Sequence, residues 1–251
     1  MSFSLKGHVA LVTGSSKGLG KQIAIALGKA GAKVCLNYAH NWEKAEATFA
    51  EFQAAGCEGI VVRADVTDAG QIQSMISEIE EKLGAVDILT VNATPDQPQK
   101  PIENYDWDFY QKMINFFIKS PFLLTKAVLG GMKQRKWGRI INIGSEVYQT
   151  CVPNFSAYVA AKGGQIGWTR SMAKELAPFG ITVNIINPGW IPVERHENDP
   201  QAMKDAYLAG IPAGRWGVPK DVADAVIYFA SEESAFVSGQ TLCVNGAHTP
   251  W

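Results

Sequence analysis

The sequence predicts an α/β fold: a single-domain, doubly wound parallel sheet of about seven strands with helices on both faces. Three observations carry this. Short β-rich runs alternate with longer amphipathic segments along the whole chain. Several runs are almost continuously apolar, as strands are when helices cover both sides of a parallel sheet. No proline-rich or low-complexity linker divides the 251 residues, which are enough to bury a sizeable core.

The strands are expected at HVALVTG (8–14), AKVCLNY (32–38), GIVVRADV (59–66), VDILTVNA (86–93), GRIINIGS (138–145), ITVNIINPG (181–189) and TLCVNG (241–246). Between the first two, GLGKQIAIALGKAG (18–31) reads as a helix closed by Gly31, where a C-cap belongs. PKDVADAVIYFASEES (219–234) opens a later helix with Pro219 and Asp221. The stretch 188–218 is long for a crossover and rich in Pro, Gly and charge, so it reads as a substrate lid or as a solvated helical excursion.

Composition narrows the function. With 47% hydrophobic residues, 19% charged residues and a net charge of −1, the chain has no electrostatic footprint for nucleic acid or a membrane surface, and a small-molecule partner is expected. MSFSLKGHVALVTG has neither the basic region nor the long apolar core of a leader, so a cytoplasmic location is the default. No apolar run is expected to approach the ~18 residues of a membrane span. Cys35, Cys57, Cys151 and Cys243 are scattered and read as reduced, partly buried thiols. His8, His40, His196 and His248 show no ligand spacing, so no metal is expected.

After the first strand, TGSSKGLG places Gly14, Gly18 and Gly20 at the entrance to a helix. Glycines there let the backbone turn tightly beside a pyrophosphate, which the free N–H groups and positive end of the helix attract. It reads as the phosphate-binding turn of a Rossmann-type sheet or as an ordinary βα turn. At the end of the second strand NYAHN (37–41) has no carboxylate to hold an unphosphorylated ribose. Lys17 within the turn can pair with a 2′-phosphate or lie solvated, so NADP is preferred, with NAD second. His40 is either a polar contact there or an exposed bystander. Asp65 sits beside the expected adenine pocket or caps the helix that begins near Asp68.

SAYVAAKGG (156–164) puts Tyr158 and Lys162 one helical turn apart among small residues that leave room beside them. TGSSKGLG, VNAT (91–94), Ser145 after IINIG, YVAAK and NPG (187–189) occur in that order at compatible spacings. Together they resemble the short-chain dehydrogenase/reductase family over nearly the whole chain. The resemblance implies hydride transfer between NAD(P) and a carbonyl or secondary alcohol. It assigns Tyr158 as general acid or base, Lys162 as partner of Tyr158 and of the nicotinamide ribose, and Ser145 as donor to the substrate oxygen. Asn115, in MINFFIKSPFLLTKA, matches the family's helix asparagine, whose backbone holds a relay water. Ser16, Leu19, Tyr38, Val66, Asn92, Ala93, Pro188, Gly189 and Ile191 join the glycines, Lys17 and Asp65 as cofactor residues on the same ground.

The chemistry accounts for the Tyr–Lys pair. Hydride addition builds negative charge on the carbonyl oxygen, which must receive a proton, and a phenol of pKa about 10 is a poor donor near neutrality. An ammonium about 4 Å away at an effective dielectric near 20 contributes roughly 4 kcal/mol before desolvation, so Lys162 is expected to lower the Tyr158 pKa by one or two units.

Val91 and Thr94 depart from the family's usual NNAG, and Val193 stands near the place of a threonine that contacts the carboxamide. Glu146, Tyr148, Phe155, Trp190, Glu194, Arg195 and His196 are expected to line the substrate space with Ser145. Their mixture of charge and aromatics suits a sugar or hydroxy acid better than a long acyl chain or steroid, although Glu194, Arg195 and His196 read equally as a solvated lid face. No GxSxG frames Ser145, which argues against a hydrolase. Family members commonly form homotetramers; a homotetramer or homodimer is implied, with Trp251 either buried against a neighbour or frayed. The rival reading is a nucleotide-binding regulator that keeps the fold without turnover.

Overall fold

A computed structural model describes residues 3–250. The expected burial of Trp251 against a neighbour lies outside the described residues. Seven parallel strands form one sheet: β1 (Val9–Val12), β2 (Lys33–Tyr38), β3 (Gly59–Arg63), β4 (Ile88–Val91), β5 (Gly138–Ile143), β6 (Ile181–Pro188) and β7 (Thr241–Val244). Their order is β3-β2-β1-β4-β5-β6-β7. The expected runs extend past most of these strands at their C-terminal ends, because the chain leaves the ladder there to build the site. β1 pairs with both β2 and β4, so the winding direction reverses at that point and opens a crevice beyond the strand ends.

The strands have side chains on both faces and both are buried. Ala10 and Val12 of β1 point to one layer and Val9 and Leu11 to the other. The first layer is α1 (Gly18–Lys29), with Phe52 of α2 (Trp42–Ala54), and α9 (Pro219–Ala230), packed through Ile23, Leu27, Val222 and Val226. The second holds α3 (Ala69–Lys82) together with α4 (Trp107–Ile114), a π turn at 115–119, α5 (Ser120–Arg135), the short α6 (Val147–Thr150) and α7 (Ser156–Leu176). Its core is Ile72, Met75, Ile76, Leu124, Val128 and Leu176 against β1, β4 and β5.

Local chemistry sets the ends. Gly31 adopts φ +104° just beyond the last turn of α1, where a side chain would be strained. Pro219 opens α9, and Asp221 accepts a hydrogen bond from the Val218 N–H at 2.8 Å.

Two expectations change. Trp107–Arg135 is one continuous helical stretch of 29 residues, long and apolar enough by length and composition to cross a membrane, contrary to the sequence reading. Its buried residues, among them Met113, Phe117, Leu124 and Met132, pack into the second layer, which makes it a core helix. The stretch 188–218 is also less irregular than expected: a short turn at Glu194–His196 leads into α8 (Gln201–Ala209) before the chain reaches α9.

Candidate active site

The glycine turn is built by close backbone contacts. Gly14 has φ +62°, and a Cβ there would stand 2.7 Å from the Ala93 Cα. A Cβ on Gly20 would stand 2.4 Å from the Gly14 carbonyl oxygen. Asn92 ties the turn to β4: its Nδ2 donates to the Thr13 and Gly14 carbonyls at 2.9 and 3.0 Å, and its N–H and that of Ala93 both reach the Thr13 hydroxyl. Asn37, not singled out from the sequence, accepts from the Gly14 N–H at 3.1 Å and donates to the Ala64 carbonyl at 3.0 Å. It takes the strand-end place where a carboxylate was looked for, and that absence was the signal available.

The start of α1 fits an anionic group. Lys17 precedes the helix with extended backbone and no side-chain cap, and the first turn carries no acidic residue, so its N–H groups and dipole end face outward. Ser16 gives its carbonyl to the Thr48 hydroxyl, Leu19 is half-buried, and Lys17 is exposed. Arg63, a second residue that the sequence reading missed, is paired in register with Tyr38, and its Nε donates to the Ala39 carbonyl at 3.1 Å. A guanidinium therefore lies beside the end of β2, where Tyr38 packs its half-buried ring near Trp42 and His40 stands exposed. The two alternatives for Asp65 resolve locally: Asp68 caps α3 by accepting from the Gln71 N–H, and Asp65 accepts from the Thr67 N–H and hydroxyl, with Val66 buried between them.

Tyr158, Lys162 and Ser145 converge at the end of β5. The Ser145 N–H donates to Asn187 Oδ1 at 3.2 Å, its hydroxyl hydrogen-bonds the Tyr158 phenol, and its side chain is half-buried. Tyr158 is 7% exposed, between the rings of Phe155 and Phe117 at 4.9 and 5.3 Å. Lys162 is 3% exposed, and its Nζ donates to the Ile143 carbonyl at 2.7 Å and to Gln165 Oε1 at 3.1 Å.

The expected electrostatics of the pair are reversed. Burial pushes the Tyr158 phenol up, against smaller lowering effects from the Ser145 hydrogen bond and the Arg195 charge. Burial also pushes the Lys162 amine well down, and Arg195 adds to that. An amine held toward its neutral form acidifies a phenol little. The lysine is held by β5 and Gln165, and the cation that bears on the phenol comes from the 188–218 stretch.

Among the described residues Asn115 makes no direct hydrogen bond to Lys162. It opens the π turn, its carbonyl accepts from the Ser120 N–H, and its side chain accepts from Gln111 Nε2 at 3.1 Å. Two positions on, Phe117 puts its ring centroid 3.8 Å from Lys162 Nζ. The apolar run around NFFI gave no sign that the helix widens there by a residue.

Glu146 is 4% exposed and buried away from an open cleft: its carboxylate accepts from the Tyr207 hydroxyl, from Asn245 Nδ2 at 2.9 Å and faces His248 Nδ1 at 3.2 Å. Tyr207, on α8, in turn accepts from the Trp190 N–H at 2.7 Å. The carboxylate thus joins the strand end, α8 and the segment after β7. Phe155 backs the Tyr158 ring, and Tyr148 lies against Gly163, where a Cβ would meet its ring at 2.9 Å. Pro188 ends β6 with its carbonyl on the Glu146 N–H, Gly189 donates to the Val244 carbonyl, and Ile191 is buried.

Trp190 packs with His196, Tyr207 and Trp216. Arg195 Nε donates to His196 Nε2 at 3.0 Å, and burial first, then Arg195, lowers the His196 pKa to about 4. Glu194 reaches back over the glycine turn: its Oε1 faces the Gly18 N–H at 3.5 Å, and Val193 covers the same glycine. A cleft of about 590 Å³ runs there between α1 and the 188–218 stretch, with Gly18, Lys21, Gln22, Val193 and Glu194 among its lining residues.

Comparison with known proteins agrees with this fold. The family described as enoyl-(acyl carrier protein) reductase matches residues 14–249. The 3-oxoacyl-[acyl-carrier-protein] reductase of Staphylococcus aureus is 37% identical over 239 residues, 94% of this chain and 96% of its own. A gluconate 5-dehydrogenase from Burkholderia cenocepacia, solved with NADP and tartrate, superposes with a TM-score of 0.91 at 34% identity, covering 98% of this chain and 97% of its own. A 3-oxoacyl (acyl-carrier-protein) reductase from Agrobacterium tumefaciens with NADP bound gives 0.90 at 29% identity, covering 98% and 95%.

Proposed function

The chain belongs to the short-chain dehydrogenase/reductase family, and from that premise we propose that it uses NADP(H) to interconvert a small polar carbonyl compound, a sugar or hydroxy acid, and its alcohol. It is an oxidoreductase acting on CH–OH and C=O groups. The observation that carries the mechanism is the buried Tyr158 phenol hydrogen-bonded to a half-buried Ser145 at the mouth of the crevice.

Bound NADP(H) supplies the hydride donor or acceptor. Gly14, Gly18 and Gly20 allow the close backbone approach that a pyrophosphate needs, and the N–H groups at the start of α1 hold its charge. Lys17 and Arg63 are the cations available to a 2′-phosphate. In reduction, Ser145 donates a hydrogen bond to the carbonyl oxygen and Tyr158 transfers its phenolic proton to that oxygen; in oxidation the phenolate takes the proton back. Lys162 keeps the end of β5 and α7 together through Ile143 and Gln165 and stands beside the phenol.

The polar-substrate reading is supported by Arg195, whose charge bears on both Tyr158 and Lys162, and by the likeness to a gluconate 5-dehydrogenase. The sequence likeness to 3-oxoacyl-[acyl-carrier-protein] reductases favours a second reading, a 3-oxoacyl thioester substrate. The whole chain acts as one domain with 188–218 as its lid, in the cytoplasm, as a homo-oligomer. Oxidation of NADPH and of NADH, followed by absorbance across keto sugars, keto acids and 3-oxoacyl thioesters, tests the reading. Turnover of the polar compounds with NADPH supports it, and preference for the thioesters replaces it with the second.

A further inference from the structure

The exit of β5 is tied unevenly to the end of β6. Gly144 and Glu146 donate their N–H groups to main-chain carbonyls of that strand, Ile186 at 2.6 Å and Pro188 at 3.0 Å. The N–H of Ser145, between them, falls out of that alternation, and its acceptor is a side chain, Asn187 Oδ1 at 3.2 Å. Ser145 Oγ in turn accepts from the Val147 N–H at 3.3 Å, which leaves the hydroxyl proton for the Tyr158 phenol or a substrate oxygen. Asn187 is fully buried, and among the described residues its bond to Ser145 is the one hydrogen bond of its side chain, Nδ2 having no partner. Three residues earlier on β6, Asn184 uses both ends of its amide, donating to the Val237 carbonyl at 2.8 Å and accepting from the Gln240 N–H at 3.0 Å. That is how a buried amide ties segments together. An amide buried with its N–H groups unpaired is unfavourable, so as packing Asn187 does less than a small apolar residue would. What it supplies is an acceptor for Ser145. The chain leaves the space for it: a Cβ on Gly144 would overlap Asn187 Oδ1.

We propose that Asn187 is a positioning residue for the reaction: its Oδ1 holds the main chain of Ser145 so that the serine hydroxyl meets the Tyr158 phenol and the substrate oxygen together. The proposal rests on the oxidoreductase reading above. Asn187 acts through Ser145, by fixing where its hydroxyl stands, and Gly144 is the neighbour whose bare backbone admits the amide. A hydrogen-bond donor assists charge development only when it is already in place, so a Ser145 free to swing loses part of its effect on the transition state while the dinucleotide binds as before.

Two measurements test this. Amide hydrogen exchange in the unliganded protein, read by mass spectrometry with fragmentation that resolves single amides, should find the Ser145 N–H at least about a hundredfold slower than in an unstructured chain. In Asn187→Ala that protection should fall by about tenfold or more, with Gly144 and Glu146 little changed. A freely exchanging Ser145 amide in the wild type, or equal protection in the two proteins, overturns the proposal. Carbonyl reduction is then followed in Asn187→Ala, in Ser145→Ala and in the double variant. Asn187→Ala should lower kcat about tenfold with the Kd for NADPH held within about twofold, and should lower kcat by no more than about twofold once Ser145 is alanine. A merely structural role costs the same factor in both backgrounds; that result, or a kcat within about twofold of wild type, overturns the proposal. Where Asn187→Ala fails to fold, Gly144→Ala takes its place, since its Cβ drives the amide off the serine with Asn187 still present. If no carbonyl compound is turned over by any form, the oxidoreductase reading fails while the exchange result still decides whether Asn187 holds Ser145.

Discussion

Replacing Glu194 by Gln should tighten the binding of NADPH. The carboxylate of Glu194 lies over the start of α1, with Oε1 3.5 Å from the Gly18 N–H, where a phosphate of the proposed cofactor would sit. Charge and N–H groups at a helix start favour an anion there by about 0.3–1 kcal/mol at an exposed site. A dinucleotide must displace that favourable contact and then bear the repulsion of the displaced carboxylate. Glutamine keeps the size and removes the charge. At roughly 1.4 kcal/mol per tenfold change, Kd should fall about two- to fivefold. The contact is long and Glu194 is exposed, which argues against a larger effect. Fluorescence titration with NADPH at low salt and again near about 1 M salt provides the check, because screening at the higher concentration should shrink the difference between the two proteins. An unchanged or weaker Kd at low salt, in a variant that melts at the wild-type temperature, refutes the reasoning.

Tyr158→Phe should cut turnover by roughly 10²–10⁴ while leaving NADPH binding near wild type, measured by absorbance and titration on the same preparation. Gly14→Ala should lower the melting temperature and weaken NADPH binding, since φ +62° and a Cβ 2.7 Å from the Ala93 backbone combine strain with a clash costing about 1–3 kcal/mol. Arg63→Gln should weaken NADPH binding by about tenfold and leave NADH little changed, with the ratio of Kd values as the readout. His196 predicts an acid-side loss of stability. Its pKa is about 4 folded against 6.5 unfolded, so the unfolded chain binds the extra proton between those values. The contribution is complete above about pH 6.5 and is lost as the pH falls toward 4; His196→Gln should flatten that part of a urea-denaturation series.

The seven strands were legible because each is a short apolar run between turn residues, and the glycine turn because its position after β1 leaves few alternatives. Ser145, Tyr158 and Lys162 were legible as a set for a related reason: a fixed spacing on α7 and a place at the end of β5 bring them together whatever surrounds them. What was not legible depends on contacts between distant segments. Glu146 follows Ser145 in the chain, so it read as substrate-lining; the donors that bury it come from Tyr207, Asn245 and His248, up to 102 positions away. Glu194 read equally as lid surface because nothing local says that the 188–218 stretch returns to Gly18. Asn115 was chosen by matching a helix pattern, and nothing in that pattern says that the helix widens there by a residue and brings Phe117 to the lysine. The acidity of Tyr158 was argued from distance to a cation alone, whereas burial of both partners sets the direction.

The carboxylate of Glu146 has a consequence for redesign. Three segments that a protein engineer would treat as interchangeable modules share it as a single anchor: the end of β5, the helix α8 and the chain after β7. Swapping 188–218 alone for that of a relative would take one donor, Tyr207, from this buried carboxylate and leave it to Asn245 and His248. Specificity in this scaffold therefore has to be transplanted as a set of residues scattered along the chain, not as a contiguous loop.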